Sequence, residues 1–462
     1  MNTKLPLDLF NQAKRSASQD QPALFSWVTE LDELVSPVKL FKKAGTAFKG
    51  ERFFWQNPEM TLTMTGFGVT KQFLAEKKKD AFLGLQEKIE KRLRTSVTNA
   101  TVDATGPVYF GGFAFDPERD TEKEWQSFKD GLFYLPLFML TNKDGKSYLT
   151  VNLSIYSDDT ESKLEAVFNQ WQKIIHQEVN EAEMALLTDF KEIGKDHFLE
   201  TASEIIDMIN HSEDVKKVVL ARRMGLRFQR QVDSAIILEN MLATQENSYF
   251  FLIEKGTGVF FGATPERLLA VNGDEIHSSC VAGSTERGAT EEADEALGNA
   301  LLKDAKNLRE HSYVVQMMEE TLKPFTTGLS LSSQPVLLKN RDIQHLYMNI
   351  TAKKKPDVSM LEMVKALHPT PALGGLPQKM GLAIIRMKEE MDRGFYGAPI
   401  GWVDLKGSGE FAVAIRSGLI VDSQGLIYAG CGIVGDSVPK EELQETAVKF
   451  QPMLRVLGGI KK

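Results

Sequence analysis

Apolar and polar positions divide the chain into two textures. From residue 1 to about 195, short apolar runs bounded by polar or glycine-bearing turns predict strands at "RFFWQNP", "LTMTGFGV", "VYFGGFAFD", "FYLPLFML" and "YLTVNLSIY". Amphipathic stretches between and after them predict helices, the longest from Thr160 to about Leu187. From about 197 onward the alternation is denser. A helix "FLETASEIIDMIN" precedes the strand "KVVLARRMGLRF", and apolar runs at "SYFFLIEK", "GVFFGATPERLLAV" and "EIHSSCVAG" follow. A helical period then holds from about Glu291 to Leu322. Strands are predicted around "PVLLKN" and "QHLYMNITAKK", and helices at "VSMLEMVKALH" and "QKMGLAIIRMKEEM". A meander, "GWVDLKGSGEFAVAIRSGLIVDSQGLIYAGCGIV", leads into a last helix from Pro439 to about Val456. Hairpin-like turns at "KGSGE", "DSQG" and "VNGDE" favour antiparallel pairing, so the expected fold is α+β, with large antiparallel sheets and helices packed outside. No low-complexity tract or Pro/Ser-rich linker offers a domain cut. Residues 1–462 are expected to form one structural unit, in which 1–195 complete the sheets of a catalytic portion at 196–462.

Composition narrows the function classes. The 462 residues are 42% hydrophobic and 26% charged, ordinary for a globular chain, with a formal net charge of -8. That balance argues against nucleic acid as a partner. It also means that an anionic substrate must be held by a few local cations. Cys280 and Cys431 form no zinc pattern or disulfide framework, which suits a reducing cytoplasm. The N-terminal stretch lacks the apolar core of a signal peptide, and no run of about 18 apolar residues follows, so a cytoplasmic protein without a membrane span is expected. Neither a GxGxxG after a first strand nor a Walker loop is present, which gives nucleotide-binding folds little support.

Several polar residues interrupt the apolar patterns and are candidates for chemistry. In "DVKKVVLAR", two lysines precede a strand, and alternation puts Lys217 on a face with Val219 and Ala221 and Lys216 on the opposite one. Alternation leaves open which of them points inward. Charges at a strand edge explain both, whereas an amine drawn out of water supplies a base able to activate a water molecule. In "FFGATPERLLAV", Glu266 either pairs with Arg267 or caps a turn, or stays protonated among apolar neighbours and serves as a general acid. Glu310 lies off the apolar stripe Leu301, Ala305, Leu308 and Val315, and by pattern it is solvated or paired with Lys306. Glu445 and Lys449 stand four apart beside the stripe Leu443, Ala447, Phe450 and Leu454, the spacing of an ordinary helix ion pair. Glycine-rich "YAGCGIVGDS" either lets backbone N–H groups approach an anion or makes a tight turn. Arg416, alone in the aliphatic strand "FAVAIRSGL", needs a carboxylate from the protein or from a ligand.

Taken in order, "KVVLAR", "FFGATPERLL", "VAGSTERG", "DAKNLREHSYVV", "IQHLYMNI", "HPTPALGGLP", "GWVDLKGSGEFAVAIRS", "AGCGIVGDS" and "ELQETAVKFQPML" resemble the motifs of the chorismate-utilising enzymes. That family includes isochorismate, salicylate, anthranilate and aminodeoxychorismate synthases. The motifs span about 215 to 457, and "FGGFAFDP", Trp125 and "FYLPLFML" are similar to the N-terminal half of isochorismate synthases. The resemblance implies two large, mostly antiparallel sheets packed as a sandwich with helices outside. It implies that Lys217 is the base activating water for attack at C2 of chorismate, and Glu266 the acid protonating the departing C4 hydroxyl. Glu310 and Glu445 match carboxylates that hold Mg²⁺. Arg416, Gly432 and Lys449 match groups that hold the substrate carboxylates, and Gly283, Ser284 and His345 line the same site. Chorismate is a dianion, and one or two carboxylates with substrate oxygens are a usual Mg²⁺ shell.

Two positions narrow the reaction. Family members that use ammonia lack the lysine base and work with a glutaminase partner, and aminodeoxychorismate synthases carry a nucleophilic lysine where this chain has Ala282. The resemblance therefore implies water as nucleophile and no glutaminase subunit. It implies Mg²⁺-dependent isomerisation of chorismate to isochorismate by a monomer or weak homodimer. Length and the N-terminal half are most similar to menaquinone-specific isochorismate synthases. Salicylate synthases, which continue by eliminating pyruvate, and isochorismate synthases of siderophore pathways share the motifs and stand as alternatives. Cys431 occupies a position where other members often carry alanine, also a small residue.

Overall fold

The structure is a computed structural model describing residues 5–75, 79–179, 183–212 and 214–459. Among these residues, twenty-one strands join one hydrogen-bonded network. One run passes from Leu187–Ile193 through Lys217–Phe228, Gln424–Ile433, Ser417–Val421 and Gly258–Thr264 to Tyr249–Lys255. It continues through Arg52–Gln56 and Leu62–Leu74 to Gly131–Lys143. From that shared strand a second run passes through Val108–Phe113, Pro399–Asp404, Gly409–Val413, Arg267–Asn272 and Glu275–Glu286 to Ile343–Lys354. All of these pairings are antiparallel; Ala23–Glu30 and Ser96–Thr98 form a parallel pair beside them.

The two runs face each other. Phe53, Trp55, Phe251, Phe260 and Tyr428 from the first meet Val108, Phe110, Ile400 and Trp402 from the second in one buried cluster, with Phe53 and Phe110 stacked at 4.3 Å between centroids. Burying a phenylalanine of this kind contributes about 2–3 kcal/mol. Helices cover the outer faces. Val314, Met318 and Leu322 of Ala305–Leu322 pack with Leu269, Ile350 and Phe411 on one side. Ile237, Met241, Phe450 and Met453 pack with Phe250, Leu252, Phe261 and Ile427 on the other. The expected α+β sandwich is therefore present, built as one network bent at a strand that both layers share. The halves at 1–195 and 196–462 interleave within it: Arg52–Gln56 pairs with Tyr249–Lys255, and Val108–Phe113 with Pro399–Asp404.

Two predicted helices differ from the observed ones. The period from Glu291 to Leu322 is broken into Glu291–Leu301 and Ala305–Leu322, because Asp304 caps the second helix by accepting the Asn307 N–H at 2.8 Å. The helix beginning at Thr160 ends at Ile175, and Leu187–Ile193 is a strand that the apolar pattern does not predict. That strand lies at a sheet edge with both faces largely exposed, so it carries no buried alternation to read.

Candidate active site

The strand Lys217–Phe228 begins on the residue that the sequence left in question. Lys217 is fully buried and Lys216 is exposed. Lys217 Nζ donates to Glu310 Oε1 at 2.6 Å. Burial pushes the Glu310 carboxyl up, but the ammonium of Lys217, with Lys449 and Lys306 behind it, outweighs that effect and holds it below its ordinary value. The pattern-based partner for Glu310 is not the one used. Lys306 Nζ turns instead to Glu442 Oε1 at 3.2 Å.

Gly432 sits against this pair. In "YAGCGIVGDS" the residues up to Ile433 belong to the strand Gln424–Ile433, running beside Lys217–Phe228 with Gly432 opposite Val219, and a turn closed by the Ser437 N–H on the Val434 carbonyl at 3.1 Å follows. A Cβ on Gly432 would lie 2.5 Å from Lys217 Cε and 2.8 Å from Glu310 Oε1. The glycine thus leaves room for the side-chain pair and lines the cavity beside it. Gly432→Ala is expected to displace this pair by about 1 Å and to lower turnover by about 100-fold. Steady-state kinetics on a variant with an unchanged circular dichroism spectrum checks it.

The last helix, Pro439–Val456, contributes the Glu445–Lys449 pair at the predicted spacing, 2.6 Å apart, and Lys449 Nζ also donates to the Gly430 carbonyl at 2.9 Å. Burial lowers the Lys449 ammonium, but Glu445 raises it more, so it stays charged above its ordinary value. Glu266 lies in the turn between Gly258–Thr264 and Arg267–Asn272 and is 3% exposed. Its pairing with Arg267 does not form; Arg267 Nε donates to Glu410 Oε1 at 3.0 Å. Burial raises the Glu266 carboxyl to about 8, partly offset by Lys217 and Lys449, so it is protonated at neutral pH.

Arg416 is not inside a strand. It links Gly409–Val413 to Ser417–Val421 at φ 47°, and this left-handed turn stands between the two strands. Among the described residues no carboxylate lies within ion-pair distance of it, and burial pushes its guanidinium down to about 10. Its Nη2 donates to His345 Nε2 at 2.5 Å. Burial, then Arg416 and Lys449, hold His345 well below the ordinary histidine range, so the ring is neutral. Since Arg416 can only donate, the ring proton sits on Nδ1 and is given to Ser284 Oγ at 2.7 Å. The Ser284 hydroxyl proton is then available to a ligand. A bulge at Ala282–Gly283 in the pairing with Ile343–Lys354 aims Ser284 at His345, and Gly283 takes φ 80° there. His345→Gln is expected to raise KM about tenfold with a smaller change in kcat, because it loosens groups that hold ground state and transition state alike. Substrate saturation curves check it.

All the sequence-predicted site residues except Lys217 line one cavity of about 790 Å³ including its mouth, and Lys217 lies behind Glu310 and Gly432. The cavity also gathers residues that the sequence did not single out. Asn307 lies one helical turn before Glu310 and accepts the Ser284 N–H at 3.2 Å; its spacing from Glu310 was the available signal. Tyr396 and Tyr428 stack at 5.2 Å, and Tyr428 accepts a hydrogen bond from Trp125 Nε1 at 3.0 Å, so the N-terminal half braces this wall. No sequence spacing signals that contact. Besides the protonated Glu266, the carboxylates lining the cavity are Glu310 and Glu445, each paired to a lysine through Oε1, and these two are the oxygen donors that could hold a hard divalent ion. Among the described residues no three His, Cys, Asp or Glu side chains are gathered for a metal, so an ion there takes its other ligands from water or substrate.

A family model described as chorismate binding enzyme matches residues 9–458. The chain belongs to that family. It is 36% identical over 462 residues to isochorismate synthase MenF of Bacillus subtilis, covering 98% of each chain. It is 30% identical over 447 residues to the salicylate biosynthesis isochorismate synthase of Pseudomonas aeruginosa, covering 96% of this chain and 91% of that one. Two solved structures have the same fold. The menaquinone-specific isochorismate synthase MenF from Escherichia coli superposes with a TM-score of 0.80 at 22% identity, covering 98% of this chain and 99% of that one. Anthranilate synthase component I from Streptococcus pneumoniae gives 0.71 at 20% identity, covering 85% and 92%. The chorismate-binding family thus supplies the layered scaffold, with the candidate groups gathered on one cavity.

Proposed function

We propose that this chain is an isochorismate synthase, converting chorismate to isochorismate with Mg²⁺, and that its product serves menaquinone biosynthesis. The observation carrying this reading is a cavity lined by a protonated glutamic acid and an arginine without a carboxylate partner, with a fully buried lysine directly behind its wall. The full-length similarity to relatives named isochorismate synthase supports the reaction, and the MenF relatives support the pathway.

Arg416 and Lys449 take the substrate carboxylates, and Ser284 adds a hydroxyl donor. Lys217 removes a proton from a water molecule as its oxygen bonds to C2. The ring double bond shifts, and the C4 hydroxyl leaves as water with the proton of Glu266. One water enters and one leaves, and solvent exchange returns the proton from Lys217 to Glu266. Glu310 and Glu445 would hold Mg²⁺, which supplies positive charge to the bound carboxylate. With Glu310 engaged by such an ion, Lys217 would be left without its carboxylate partner and turned to the water. Lys217 and Ala282 favour water over ammonia, so no glutaminase subunit is part of this reading.

Purified protein is incubated with chorismate and Mg²⁺, with and without ammonium, and the products are resolved by HPLC. Isochorismate as the product in both conditions is expected. Salicylate with pyruvate would transfer the assignment to salicylate synthase, and no turnover would leave a chorismate-binding protein.

A further inference from the structure

The strand Leu187–Ile193 is an edge of the sheet network. It is hydrogen-bonded to Lys217–Phe228 on one side, and among the described residues no strand pairs with its other side. Residues 188 to 191 are exposed in sequence, Phe190 at 53%, with Leu186 at 65% and Ile193 at 39% beside them. An open edge carrying an exposed phenylalanine is a liability that proteins usually cover or break up. Glu192 is engaged by Arg222, whereas Asp189 and Lys191 have no ion-pair partner among the described residues.

We propose that this edge is a two-fold interface between two copies of the chain, paired antiparallel about Phe190. The strand sequence "LTDFKEI" is self-complementary in that register. Asp189 stands opposite Lys191 of the partner subunit, and Lys191 opposite Asp189 of the partner subunit. Phe190 meets Phe190 of the partner subunit, and Leu187 meets Ile193 of the partner subunit. Directly opposed residues of antiparallel strands share a face, so each of these pairs is a contact. Registers centred on Asp189 or Lys191 instead set like charges against each other, which leaves Phe190 as the favoured centre. The pairing also satisfies the open row of backbone N–H and C=O groups and closes on itself, as an isologous contact does. None of the strand's residues lines the chorismate cavity, so the interface leaves the site open.

Sedimentation velocity over a concentration series tests the interface. The wild-type chain is expected to show a reversible monomer–dimer equilibrium. D189K and K191D each turn two attractive pairs repulsive and are expected to weaken the dimer by about tenfold or more. The double variant D189K/K191D exchanges the charges and is expected to recover the wild-type equilibrium. An equimolar mixture of the two single variants is expected to form a heterodimer that neither forms alone. Thermal unfolding of each variant confirms that the monomer is folded. A wild-type chain monomeric at every concentration overturns the proposal. So does a dimer indifferent to the single reversals, or a double variant as weak as the singles.

Discussion

Lys217→Ala is expected to lower conversion of chorismate by about 10³-fold, while Lys216→Ala one residue earlier changes it by less than about twofold. The difference follows from the strand. Lys216 is exposed at its mouth, whereas Lys217 is fully buried and fixed to Glu310 at 2.6 Å. Alanine at 217 removes the proposed base and also leaves the half-buried Glu310 without its cation, which costs about 2 kcal/mol of stability. Lys217→Arg separates the two effects. Arginine keeps a positive charge beside Glu310 but cannot give up its proton, so stability is retained and turnover is lost. Initial rates by HPLC, with unfolding midpoints for each variant, check both statements. An active Lys217→Ala enzyme would sink the assignment of the base.

The layered fold was legible because most strands are buried and announce themselves as apolar runs between turns. Leu187–Ile193 was not, because an exposed edge strand has no buried face. At the site, pattern alone favoured the near partners: Arg267 for Glu266 and Lys306 for Glu310. Glu310 instead meets Lys217, distant in sequence, because Asp304 caps a new helix and the Gly432 strand runs against Lys217, while Arg267 is drawn from Glu266 to Glu410. Glu445–Lys449 was readable because its geometry is local. Arg416 was readable by its misfit, a lone cation in apolar surroundings, although its left-handed turn was not. The neutral His345 between Arg416 and Ser284 depends on three segments meeting and left no local trace.

The cavity also answers how a chain of net charge -8 binds a dianion. Lys217 and Lys449 are matched by Glu310 and Glu445, Glu266 is neutral, and Arg416 is left over. The side chains of the site therefore carry about one positive charge between them, too few for two carboxylates. A divalent ion on Glu310 and Glu445 would supply the difference, which gives the proposed metal requirement an electrostatic reason independent of the family.

Glu266→Gln is expected to lower kcat/KM by about 10²-fold and to remove its alkaline limb. The proposed role requires the acid form of Glu266, and burial raises the carboxyl to about 8. Activity is therefore level below that pH as far as this group is concerned, and falls tenfold per unit above it. Glutamine preserves the size of the side chain but has no proton to give. The same shift has a consequence for stability that turnover does not enter. The folded chain keeps this proton up to about 8, whereas an unfolded glutamate releases it near 4.5. The contribution to stability is complete below about 4.5 and declines as pH rises, until it is lost through about 8. The stability of wild type relative to Glu266→Gln should follow that decline, measured by denaturant unfolding at a series of pH values. A pH-independent difference would mean that Glu266 is ionised in the folded chain, and it could not then be the acid that releases the C4 hydroxyl.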